Sequence, residues 1–199
     1  MEMSRPAISR TRRSGITPNG PKIREAVLHL IREADQANLR PSQFDILKAM
    51  FIADREHLNK YGRPITFDEY VAMKDGPVAS LTYDLLKEKS DALREVGLDR
   101  PLWKTIADGA TKKIYYDAER DASDDILSES DKEELSEALR KVKNWGYNRT
   151  WKHVHDDPSY IDAWSKRSGA LQHPMNIALL MSNPDQDYAD DLKFISAHL

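Results

Sequence analysis

The chain contains no cysteine. That absence excludes disulfides, thiolate nucleophiles and thiolate metal sites, and it fits a protein of the reducing cytoplasm. Glycine is scarce, at 8 residues, and neither Gly-x-x-x-x-Gly-Lys nor Gly-x-Gly-x-x-Gly occurs, so no phosphate-cradling loop is expected. Gly-x-Ser-x-Gly and His-Glu-x-x-His are missing too, which leaves acyl transfer and zinc hydrolysis without a signature. Apolar runs are short: Ile177-Ala-Leu-Leu-Met181 falls far below the roughly 18 residues that a membrane span needs. The N-terminus is basic and polar, without the apolar stretch of a secretory signal.

What is present is enough for one domain. A chain of 199 residues, 40% hydrophobic and 32% charged, can fill one core and solvate its surface. The net charge of −3 is unevenly spread. Residues 1–24 carry Arg5, Arg10, Arg12, Arg13, Lys22 and Arg24 against Glu2, a balance of 6 − 1 = +5, so the remainder is −8. Residues 1–22, rich in Arg, Ser, Pro and Gly, read as a flexible basic arm, a candidate contact for DNA or for a protein partner. Residues 23–199 read as a single domain that is mainly α, a compact set of helices with a small β-hairpin.

The helical pattern starts with Ile23, Ala26, Val27, Leu30 and Ile31 on one face and ends near Asn38. Ser42 is an N-cap for the next helix, with Asp45 in its first turn and Gly62 at its left-handed end. Thr66 then caps a predicted short helix through Met73, and Pro77 opens a predicted helix to about Lys87. Asp108-Gly109 between Trp103–Ile106 and Lys113–Tyr116 predicts the hairpin. Ser130-x-x-Glu133 reads as a capping box for a helix to about Lys143. Trp145, Tyr147, Trp151, Tyr160 and Trp164 then crowd into twenty residues.

Candidate chemistry is thin. His153-Val-His155 with Asp156 and Asp157 is the best metal candidate, since imidazole and carboxylate suit zinc or iron. Side chains at i and i+2 diverge by roughly 200° on a helix, however, and no second ligand motif completes the set. The carboxylate pairs at 124–125, 156–157 and 190–191 are adjacent in sequence and diverge likewise. No catalytic residue, cofactor or metal is assigned, and a non-enzymatic protein is expected.

Residues 44–86 carry the most specific pattern: a helix, the turn Tyr61-Gly62-Arg63-Pro64, and the segment Tyr70-Val-Ala-Met-Lys-Asp-Gly-Pro-Val78. The order of Leu47, Lys48, Tyr61, Gly62, Ala72, Gly76, Pro77, Val78 and Tyr83, followed by His155 and Trp164, resembles the Panacea domain of SocA-like antitoxins over residues 24–165. The resemblance implies an antitoxin that neutralises a cognate toxin protein by direct binding. It makes Lys48, Tyr61, Gly62, Gly76, Pro77, Val78, Tyr83, His155 and Trp164 candidate toxin-binding or motif residues. Two alternatives stand beside it: a nucleic-acid-binding regulator using Arg5, Arg10, Arg12 and Arg13, and an adaptor that delivers a toxin to a protease. A homodimer is left open.

Overall fold

The computed structural model describes residues 14–110 and 114–199. Among them the chain is mainly α. Its elements, in order, are α1 (Gly20–Gln36), α2 (Gln43–Tyr61), β1 (Tyr70–Met73), β2 (Gly76–Ala79), α3 (Ser80–Leu86) and α4 (Ser90–Glu95). Then follow β3 (Trp103–Ala107), β4 (Ile114–Ala118), α5 (Glu129–His155), α6 (Pro158–Lys166), β5 (His173–Pro174), a 3₁₀ turn (Ile177–Leu180) and α7 (Gln186–Ser196).

α2 is the central element. Its Ile46, Leu47, Met50, Phe51, Ile52 and Leu58 are buried, together with Lys48, Asp54 and His57, so it is enclosed by α1, α5 and β2. Ser42 accepts from Asp45 N while Asp45 bonds back to Ser42 N, a complete capping box, and Gly62 closes the helix at φ 79°. The apolar face of α1 is buried as its spacing predicts, with Ile23, Val27, Leu30 and Ile31 all fully inside. α1 starts three residues earlier than its periodicity, because Asn19 accepts from Lys22 N and Pro21 sits in the first turn.

Residues 14–22, expected within the arm, are fastened to the body. Ser14 N and Oγ donate to Glu69, Asn19 N donates to Thr66 O, and Ile16 is buried. Residues 1–13, with Arg5, Arg10, Arg12 and Arg13, lie outside the described residues.

Two small antiparallel sheets accompany the helices. β3 pairs with β4 from Trp103↔Ala118 to Ala107↔Ile114, which is the expected hairpin. The second sheet, in the order β2-β1-β5, corrects two expectations. The segment ending at Met73 is a strand, and Pro77 lies within β2 opposite Ala72 instead of opening a helix. Pro77 is tolerated because β2 is an edge strand. Helix α3 therefore starts at Ser80, and buried Asp68 caps it by accepting from Leu81 N, Thr82 N and Thr82 Oγ1.

α5 also departs from its predicted form. Its N-cap is Ser128 with Asp131 at N3, displacing Ser130 and Glu133. Asp131 is buried against Lys22 and Arg63, so the ion pairs settle which of two similar boxes forms. The helix also continues beyond Lys143 to His155, broken at Gly146 with φ 66° and ψ −177°. That break turns the second half toward the β1–β2 hairpin, where Val154 is buried against Gly76.

Candidate functional site

The β1–β2 hairpin is joined by two residues, Lys74 and Asp75, between the paired Met73 and Gly76. The positive φ of 99° falls on Gly76, the pattern of a turn closed by a bulge glycine. A Cβ here would lie 2.9 Å from Val154 Cγ2, 3.0 Å from Lys48 Nζ and 3.3 Å from His155 Cε1. Both the backbone angle and the space therefore demand glycine.

Three helices each send one side chain to a carbonyl of this turn. Lys48 of α2 donates from Nζ to Pro77 O at 2.8 Å. Tyr160 of α6 donates its hydroxyl to Met73 O at 2.9 Å. His155 of α5 places Nε2 3.2 Å from Lys74 O and Nδ1 2.7 Å from Trp151 O. A neutral imidazole donates to one of these oxygens at a time.

The base of the hairpin is fastened as firmly as its tip. Asp54, buried in α2, accepts from Ile65 N, Thr66 N and Tyr70 Oη at 2.8–2.9 Å, and from Thr66 Oγ1. Burial pushes its carboxyl up from the ordinary value, against the pull of these donors.

Lys48 is 2% exposed. Burial lowers its ammonium to about 7, although the nearby Asp75 carboxylate works the other way. Its cation also lies 5.5 Å from the centre of the Phe44 ring.

An aromatic row flanks the clasp. Trp151 stacks on His155 at 3.6 Å, His155 meets Tyr160 edge-on at 4.5 Å, and Tyr160 lies parallel to Trp164 at 5.8 Å. The Arg167 guanidinium covers Trp164 at 3.8 Å. One turn before Trp151, Tyr147 packs against Phe44 at 4.8 Å. Tyr147 is 55% exposed and Trp151 38%, so this row reaches the surface.

Lys48, Gly76, Pro77 and His155 thus meet directly, Val78 lies in the same strand, and Trp164 joins through Tyr160. The other three candidates lie elsewhere. Tyr61 packs on His57 at the far end of α2, Gly62 accepts from Tyr188 of α7, and Tyr83 of α3 sits under the Lys87 ammonium. Lys74 and Asp75 carried no weight in the sequence reading, although Asp75-Gly76 is itself a hairpin signal.

His153 and His155 diverge on α5, the first against Trp145 and the second against Trp151. Among the described residues no group of three or more His, Cys, Asp or Glu could hold a metal ion, and no helix is long and apolar enough to cross a membrane.

No curated protein and no solved structure matches the chain. The family model "Antitoxin SocA-like, Panacea domain" matches residues 46–160. The matched stretch runs from the first turn of α2 to Tyr160, so it holds the hairpin and all three of its clasping side chains. The chain belongs to the SocA-like antitoxin family and carries its Panacea domain.

Proposed function

We propose that this chain is an antitoxin of a toxin–antitoxin pair, acting in the cytoplasm without catalysis and neutralising a cognate toxin protein by direct binding. The observation that carries this reading is the family match over residues 46–160, which spans the whole clasped hairpin. The structure is in keeping with a binding role: a rigid exposed turn beside a partly exposed aromatic row suits an interface better than a reaction centre.

Expression of the adjacent gene's product alone, and then with this chain, tests the reading by growth and co-purification. Arrested growth that this chain restores, with a stable complex and an unchanged toxin level, is the expected result. Arrest without rescue overturns neutralisation. A toxin level that falls on co-expression favours delivery to a protease over sequestration.

A further inference from the structure

The turn between β1 and β2 is held by side chains from outside the sheet as well as by its own strands. Cross-strand pairing and a well-placed glycine set the register of a two-residue hairpin. Here α2, α5 and α6 each add a side-chain contact, and one of them is a buried ammonium. Burying that cation costs more in desolvation than the Pro77 carbonyl, the Phe44 ring and the Asp75 carboxylate return. What it does secure is position.

The two side chains at the tip are left outward. Lys74 and Asp75 are exposed, and neither forms a salt bridge or a side-chain hydrogen bond among the described residues. The backbone of Lys74 meets His155, and Trp151 stacks on that same imidazole. An exposed tryptophan can anchor an interface, and charges of both signs near it orient a partner.

We propose that Lys74, Asp75 and the exposed edge of Trp151 form the surface on which the partner protein docks. Lys74 pairs with a carboxylate of the partner and Asp75 with one of its cations. Lys48, His155 and Tyr160 are positioning residues that act through the turn. This inference rests on the antitoxin reading. The occupant is a protein, because the antitoxin family implies a toxin protein as partner and the exposed Asp75 carboxylate would repel a uniformly anionic nucleic acid. The ring of Trp151 is already stacked on His155, and both Tyr160 and Arg167 lie against Trp164, which leaves poor platforms for bases.

The test uses the full chain, with the adjacent gene's product as probe. The double reversal Lys74→Glu with Asp75→Lys changes only exposed side chains, and Phe194→Ala on α7, at a site 68% exposed, is the surface control. The double reversal should stay folded, with a modestly lower melting temperature because Asp75→Lys takes a carboxylate from the neighbourhood of Lys48. It should lose growth rescue and bind the probe at least about 30-fold more weakly. Phe194→Ala should behave as wild type. Tyr160→Phe keeps the ring stack and removes only the bond to Met73 O, so it should weaken probe binding roughly 2- to 10-fold. Unaltered binding there would remove Tyr160 from a positioning role. A wild-type chain that neither rescues growth nor binds overturns the antitoxin reading and this surface with it. Wild-type rescue matched by a folded double reversal, or an equal loss with Phe194→Ala, overturns the surface alone.

Discussion

Lys48 shows how one buried group links stability to pH. Its folded ammonium titrates near 7 because burial disfavours the charge, whereas an unfolded lysine stays protonated to about 10.4. Below pH 7 both states carry the proton, and the burial penalty is present in full. Between these values the unfolded chain holds more protons, so stability rises with pH. Urea unfolding at pH 7 and pH 9 should therefore show Lys48 adding roughly 2 kcal/mol over that interval. Lys48→Met should lack this rise, whatever its absolute stability. The same increase in the variant would place the titration elsewhere. Position 48 was legible in the sequence as part of a family pattern, but its burial was not, since a lysine in a helix is ordinarily solvated.

At the scale of elements, the missed assignments share a cause. Thr66 to Met73 has the composition of a capped helix, yet the loop before β1 is held by Asp54 and the strand pairs on both sides with β2 and β5. Asp54 and β5 lie at distances in sequence that local propensity does not see, whereas β2 follows after two residues and is signalled by Asp75-Gly76. The apolar spacing that predicts α5 extends only to about Lys143, the helix breaks at Gly146, and tertiary burial of Thr150 and Val154 restarts it. The break itself is a testable device. A Cβ on Gly146 would meet nothing within 4 Å, so Gly146→Ala suffers only from its backbone angles. The expected loss is roughly 1–3 kcal/mol in chemical denaturation. Gly109→Ala, equally open but without a positive φ, should be close to neutral.

Across the whole molecule, buried acids hold the helices in register. Glu25 of α1 receives both guanidinium nitrogens of Arg120 at 2.7–2.8 Å and the Ser123 N–H at 2.9 Å. Burial alone would raise this carboxyl, but these partners and Arg24 outweigh it and draw it down to about 2. Asp131 ties α5 to Lys22 of α1 and to Arg63 beyond α2. The segment ahead of α1 belongs to this frame. A chain that begins at Ser14 gives the reference melting temperature, since it keeps every contact described from Ser14 onward. Deleting residues 1–21 removes buried Ile16, the Asn19 cap and the bonds to Glu69. That loss, roughly 3 kcal/mol, should lower the melting temperature by about 6–12 °C in a thermal scan. Equal melting temperatures for the two truncations would show that residues 14–21 add nothing to the body.

The sequence by itself determined the helical class, the buried face of α1, α2 with its caps, the β3–β4 hairpin and the family pattern from Lys48 to Trp164, because these rest on periodicity and on signals a few residues apart. Only the tertiary structure decided that the Gly76-Pro77 segment is a strand, that Ser128 outcompetes Ser130 as a cap, and that Lys48, His155 and Tyr160 converge on one turn. Convergence of that kind depends on long-range packing and on which charges can be buried together, and neither is written in local spacing.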